Sequence, residues 1–254
     1  MLYNVSMEDF LTFLSDYGLY ILIAAIVVFV IAGVFVANFS YDNFLVVFEK
    51  AQKTISSFSG SALDLAAFLS ERKFNQQIRI KVFEKNELVS NGSYAPAEKC
   101  VYISKDLAFS NSIASISIIM HEFGHVCQHA QTPKVLQRNF MLTKVVKVLG
   151  LLNYPFFITG LVMLFLGLFQ VSLVCFVLIV LDFVVALILK FLTIKIEKDA
   201  SKRAIQLLKS INVLNNNEIA EVKKVLKAAK STYIGDFFRA LFSWTGLTRK
   251  TKLF

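Results

Sequence analysis

A chain of 254 residues with 56% hydrophobic side chains and a mean hydropathy of +0.61 is too apolar for an ordinary soluble domain. Its net charge of +9 is unevenly placed: no Lys or Arg precedes Leu19, whereas basic residues crowd the regions after both apolar blocks. That pattern is explained by membrane topology and attraction to anionic headgroups, without a nucleic-acid partner. Cys100, Cys127 and Cys175 are widely spaced and form no C-x-x-C pair, which argues against a disulfide framework.

In chain order, residues 1–18 form an acidic flank carrying Glu8, Asp9 and Asp16. Residues 19–37 hold no charge and match one bilayer crossing, with no small-residue cleavage site, so they are expected to be an anchor. Residues 38–148 are expected in the cytoplasm. A polar stretch there leads to Ser61 and Asp64, an acidic capping box opening a helix to about Arg72. Ile78 to Phe83 alternates as a strand, Asn91-Gly92 marks a turn, and Lys99 to Ser104 reads as a second strand. Ser110 or Asn111 can cap the next helix, which runs to about Ala130. Residues 149–191 suit a transmembrane hairpin turning around Gly167 to Ser172, with Asp182 its only acidic residue. No Gly or Pro occurs between Val171 and Ile234, so the third span is expected to run on past Lys190 until Asn212 and Asn215 to Asn217. Residues 192–254 then supply further cytosolic helix, Glu218 to Lys230 basic and amphipathic. Phe237 to Trp244 suits either the membrane interface or core packing. The expected fold is a mainly α membrane protein: three transmembrane helices, with the N-terminus outside, plus a cytosolic helical domain with a small β element, zincin-like by the His-Glu-x-x-His motif it carries at His121 to His125.

All three histidines lie between His121 and His129, and the first five residues of that stretch read His-Glu-Phe-Gly-His. On a helix, residues four apart share a face, so His121 and His125 can offer nitrogens to one metal ion. Glu122, about 100° round, is placed to act as general base on water rather than as a ligand. His129 is about 12 Å from His121 along the axis, too far to join the same ion from an unbroken helix. The metzincin pattern would turn the chain at Gln128 and place its third histidine at Gln131, so it fails. His129 is left as a support for the ligands, a substrate contact or a surface residue. A catalytic zinc takes three protein ligands, and the third must be Asp, Glu or Cys. Glu197, just past the third span, is the best candidate by position, the alternative being a solvated partner of neighbouring lysines.

The chain resembles the YugP-type bacterial membrane zinc peptidases, a family of neutral zinc metallopeptidases. The matching residues are Ser93-Tyr94-x-Pro96 through Ile103-Ser104, Ser112-x-Ala114, the His121 to Ala130 run His-Glu-x-Gly-His-x-x-Gln-His-Ala, Glu197-x-Asp199-Ala200-Ser201-x-Arg203-Ala204, and Val225-Leu226-x-Ala228-Ala229 with Thr232-Tyr233. The resemblance implies Zn2+ held by His121, His125 and Glu197, with Glu122 as catalytic base. It also suggests Tyr233 as a donor to the oxyanion, against the alternative of a core tyrosine. Ala95 replaces the family's aspartate after the turn tyrosine, and Lys195 stands where a proline is usual. In the more distant HtpX-like peptidases an aspartate four residues after the ligand glutamate supports a zinc histidine. Ser201 occupies that position here, and Asp199 is free to cap, to pair with Arg203 or to support the site. Gln128, His129, Asp199 and Ser201 are therefore the expected ligand-supporting or substrate-contacting residues.

These features lead to a membrane-bound zinc endopeptidase in the bacterial cell membrane, multi-pass, with a cytoplasmic active site. Its expected partners are the lipid bilayer and protein or peptide substrates, chiefly membrane proteins. The Lys99–Ser104 strand could align an extended substrate at its edge. Two rivals are a site-2-type intramembrane metalloprotease, invited by Asn153, Pro155 and Asp182, and a zinc-binding scaffold without catalysis. Asp182 is either a functional group within the membrane or a structural hydrogen-bond partner.

Overall fold

In the computed structural model, residues 7–84 and 91–242 are described. Residues 1–6, 85–90 and 243–254, and with them Trp244, lie outside the described residues. The chain is mainly helical around a small sheet. Helix α1 runs from Met7 to Lys53, so the stretch after residue 37, read as polar chain, continues the same helix. Ser40, Phe44, Phe48 and Ala51 explain this: they recur three or four apart and are buried, giving α1 a face to pack. The end of α1 is fastened to the next domain through an Ile55–Ser112 bridge, with the Ile113 N–H donating to the Thr54 carbonyl at 2.9 Å.

Helix α2, Ala62–Phe74, opens on the expected capping box: the Ser61 hydroxyl accepts from the Asp64 N–H, and the Asp64 carboxylate accepts from the Ser61 N–H at 2.7 Å. Three strands follow, β1 (Arg79–Phe83), β2 (Gly92–Ala95) and β3 (Cys100–Ser104), in the order β1-β3-β2. β1 pairs parallel to β3, and β2 antiparallel, with Tyr94 opposite Val101. β2 was not expected beyond its Asn91-Gly92 turn. Its presence overturns one expectation: β3 is the central strand and has no free edge for a substrate. A short helix α3, Lys105–Ala108, leads to α4, Ile113–Gln131, which carries the histidines. Its cap is Ser112, not Ser110 or Asn111; the Ser112 hydroxyl accepts from the Ser115 N–H at 3.2 Å. Ile113 to Gly124 are all buried, so α4 is the axis of the hydrophobic core.

Helix α5, Pro133–Phe165, starts directly after α4, and the turn at Leu166–Leu168 reverses the chain into α6, Phe169–Ile211. As expected, α6 runs unbroken past Lys190 and ends at Asn212, whose φ of 51° places it in the left-handed region that asparagine tolerates. The spans expected at 19–37 and 149–191 thus fall inside longer helices. Among the described residues, two stretches are long and apolar enough to cross a membrane, Val27–Lys53 and Phe169–Ile211; Gly150–Phe165 is a shorter apolar segment. Their large side chains, among them Phe29, Phe35, Leu173 and Val180, face outward. Asn153 donates to Asp182 at 2.7 Å, tying the hairpin together in its apolar part.

Helix α7, Asn216–Phe242, returns antiparallel along α1. Gly235 faces Ala37 and Ser40, Phe238 meets Phe29, and the Arg239 guanidinium donates to the Ala37 carbonyl at 3.1 Å while pairing with Asp236. Phe237 and Phe238 therefore pack between helices, which favours the packing alternative for this segment.

A Cβ at Gly235 would lie 2.9 Å from the Ser40 Cβ, whereas nothing lies within 4 Å of one at Gly150. Gly235→Leu is expected to destabilise the protein by about 1–3 kcal/mol through overpacking. Gly150→Leu should be near neutral, both read as thermal unfolding in detergent.

Candidate metal centre

Helix α4 places His121 and His125 on one face, with ring centroids 4.8 Å apart and planes at 82°. Opposite them α6 brings Glu197, whose Oε2 is 3.1 Å from His121 Nε2 and 3.4 Å from His125 Nε2. The three donor atoms lie within 4.8 Å of one another and form a group able to hold a metal ion. Two imidazole nitrogens and a carboxylate oxygen suit zinc, and the two carboxylate–imidazole separations approach the roughly 3.3 Å edge of a tetrahedron built on bonds of about 2.0–2.1 Å.

The close approach of α4 and α6 depends on Gly124. A Cβ there would lie 2.9 Å from the Ala200 carbonyl carbon and closer still to its oxygen. Ala200 and Ala204 are small and fully buried on the facing side. A glycine inside a helix costs about 1 kcal/mol against alanine, so Gly124 within the motif was itself a signal of this contact.

Of the other expected residues, Tyr233, Ser201, Gln128 and Asp199 lie around this group and His129 does not. The Tyr233 hydroxyl donates to Glu197 Oε2 at 2.9 Å, reaching the centre from α7. The Ser201 hydroxyl lies 3.4 Å from His121 Nδ1. Gln128 Oε1 is 2.9 Å from His125 Nδ1, while its Nε2 donates to the Ile196 carbonyl and to Asp199. Asp199 pairs with Arg203 and meets the site through Gln128, combining two of the roles left open for it. His129 is not at the centre; its Nδ1 is 2.8 Å from the Tyr94 hydroxyl on β2. Cys127 carries no hydrogen bond to the group, and burial raises its thiol pKa, as for an inert thiol.

Sequence reasoning missed the part played by β2. Gly92 permits β2 to lie against α4: a Cβ there would be 2.7 Å from Ile118 Cγ2 and 3.6 Å from Glu122 Cγ. The Tyr94 backbone N–H then hydrogen-bonds the Glu122 carboxylate.

Burial raises the Glu122 pKa, opposed by the two histidines and by the Tyr94 N–H. Burial acts on Glu197 in the same direction, but its hydrogen bonds to His121 and His125 prevail and lower it. Burial depresses His125, yet the hydrogen bond and charge of Glu197 outweigh this and raise it to about 9. Tyr233 is pushed well above 10 by burial and by Glu197, so it keeps its proton as a donor.

A family model described as "Putative neutral zinc metallopeptidase" matches residues 19–249. The chain belongs to this family. Among curated proteins, the "Putative membrane protease YugP" of Bacillus subtilis (strain 168) is 30% identical over 149 residues. The match covers 59% of this chain and 63% of that relative, so it spans less than two thirds of the relative's length. No solved structure matches the chain. Zinc is the metal this family membership implies, and the His121, His125 and Glu197 group is where the described residues can take it.

Two outcomes follow from this geometry. Gly124→Ala should separate α4 from α6 and cut zinc content, read by metal analysis, well below one ion per chain. In the metal-free protein His125 is protonated up to about pH 9, and a ligand imidazole must be neutral. Zinc uptake at pH 7 should therefore release about one proton from this residue, a release that fades as the pH rises through 9, measured by calorimetry in buffers of different ionisation enthalpy.

Proposed function

We propose that the protein is a zinc-dependent endopeptidase that hydrolyses peptide bonds of proteins at or near the cytoplasmic surface of the cell membrane. The observation that carries this reading is the meeting of His121, His125 and Glu197 beside a buried Glu122 and a protonated Tyr233. His121, His125 and Glu197 hold the zinc, which when bound supplies Lewis acidity and a water of lowered pKa. Glu122 accepts a proton from the attacking water and delivers it to the amine that leaves as the carbon–nitrogen bond breaks. Its burial-raised pKa suits it to that exchange. Tyr233, whose one O–H donates to Glu197 Oε2 in the substrate-free site, turns that hydrogen to the carbonyl oxygen as negative charge develops there. The edge offered to an extended substrate is that of β2, which pairs only with β3 among the described residues and runs beside Glu122.

Location comes from the helices. The outward apolar surfaces of α1 and α6 suit hydrocarbon, since water rarely tolerates such continuous exposed patches. We read three spans, α1 and the α5–α6 hairpin, with the N-terminus outside and the basic regions in the cytoplasm. Glu197 lies seven residues past Lys190, about 10 Å along α6. Membrane proteins and membrane-proximal segments are accordingly the favoured substrates. The intramembrane-protease reading is less favoured: Asp182 is fifteen residues before Glu197, about 22 Å along the same helix, and is engaged by Asn153.

Purified protein should cleave casein or a peptide library, lose activity to a zinc chelator and regain it with Zn2+. Glu122→Gln should keep its zinc and lose about 10²–10⁴-fold in kcat. Equal activity of wild type and Glu122→Gln would defeat the peptidase reading, and zinc binding without any turnover would favour the scaffold. Tyr233→Phe should lower kcat by about 10²–10³-fold with little change in KM.

A further inference from the structure

A chain of polar side chains joins the two ligand-bearing helices beside the centre. Gln128 Oε1 faces His125 Nδ1 at 2.9 Å, and Gln128 Nε2 donates to the Ile196 carbonyl at 2.7 Å and to Asp199 Oδ2 at 2.9 Å. Asp199 Oδ2 also accepts from Arg203 Nε at 2.6 Å. Arg203 Nη1 donates in turn to Gln131 Oε1, back on α4.

The chemistry of these partners removes the usual ambiguity of an amide and an imidazole. The Ile196 carbonyl can only accept, and an aspartate paired with arginine is ionised and also only accepts. The Gln128 NH2 group must therefore face α6, and its oxygen must face His125. An amide oxygen beside Nδ1 requires the proton to be there, which leaves the Nε2 lone pair for the metal. The Ser201 hydroxyl, 3.4 Å from His121 Nδ1, can donate or accept and so does not by itself select a tautomer.

We propose that Gln128 is a positioning residue that fixes the tautomer and ring plane of His125 for zinc. In the same proposal Asp199, held by Arg203, orients the Gln128 amide and influences the metal only through it. The inference rests on His121, His125 and Glu197 being the zinc ligands. It deepens that reading, because the two α6 groups gripped by Gln128, Ile196 and Asp199, flank Glu197 in sequence. One amide thereby sets a ligand on α4 and the register of the ligand on α6.

The test is zinc affinity, measured by competition with a chromophoric chelator on the full-length protein, with thermal unfolding in parallel. Gln128→Leu is expected to weaken binding about 10–100-fold. Asp199→Ala should weaken it as well, and the double variant should bind no more than about twofold more weakly than Gln128→Leu alone, because one residue acts through the other. Gln128→Met keeps the packed volume and removes both the acceptor at His125 and the donors to α6; it should weaken zinc binding about as much as Gln128→Leu while the zinc-free protein melts within a few degrees of wild type, a split that loss of packing would not give. Unchanged affinity in Gln128→Leu or Gln128→Met, or losses that multiply in the double variant, would each overturn the proposal. Failure of the wild type to bind zinc would instead overturn the metal-centre reading beneath it.

Discussion

The site exists because α4 and α6 cross with almost nothing between their backbones at Gly124 and Ala200. His121 and His125 lie about one turn or less to either side of that crossing on α4, and Glu197 and Ser201 flank it on α6. Side chains as short as these can meet at 3.1–3.4 Å only if the helix axes are unusually close. A methyl group at position 124 would meet the facing carbonyl, and a displacement of even half an ångström is comparable to the tolerance of a metal site. The fully buried Ala200 and Ala204 continue the narrow seam, so the geometry of the ligands is a consequence of small residues chosen on both helices.

Around that seam the ionisable groups are driven to different protonation states by the same burial. Glu197, hydrogen-bonded by both imidazoles, is held as an anion. Glu122 has only the charge of those imidazoles and one hydrogen bond from the Tyr94 N–H to offset burial, so burial prevails and its pKa rises. Tyr233, next to the Glu197 charge, is kept protonated. A committed anion, a carboxylate able to take and return a proton, and a phenolic donor are the distribution that acid–base chemistry at neutral pH requires. The separation arises from partners rather than residue type, since both carboxylates are glutamates.

Much of this was readable in the chain. The spacing of His121 and His125, the capping box at Ser61 and the uninterrupted run of α6 to Asn212 are local signals, fixed by periodicity and by the presence or lack of Gly and Pro. Tyr233 and Glu197 are far from the motif in sequence; position past the third span singled out Glu197, and only family resemblance joined Tyr233 to it. What stayed hidden depended on partners. β2 is four residues, Gly92 to Ala95, with no alternation long enough to announce a strand, and it exists because β3 offers a ladder on one side and α4 a surface on the other. The extension of α1 past residue 37 was masked by the polar run Asn38, Ser40, Tyr41 and Asp42, of which Ser40 is itself buried against Gly235 of α7. Gln128 looked like a failed metzincin turn; its use appears only when Ile196 and Asp199 are brought opposite it.

The separation of the ligands along the chain has a consequence for folding. His121 and His125 precede the α5–α6 hairpin, and Glu197 follows it, with Tyr233 later still. No subset of the chain ending before α6 can close the zinc site, and a hairpin that fails to return α6 against α4 leaves two histidines without their carboxylate. Zinc capture is therefore conditional on the packing of α6 against α4. Zinc then adds its binding energy to the fully folded arrangement alone, because metal affinity that exists only in the assembled state is folding free energy. The arrangement keeps the His121, His125 and Glu197 group unformed until α6 has docked on α4, an interlock that a site with all its ligands on one helix would lack.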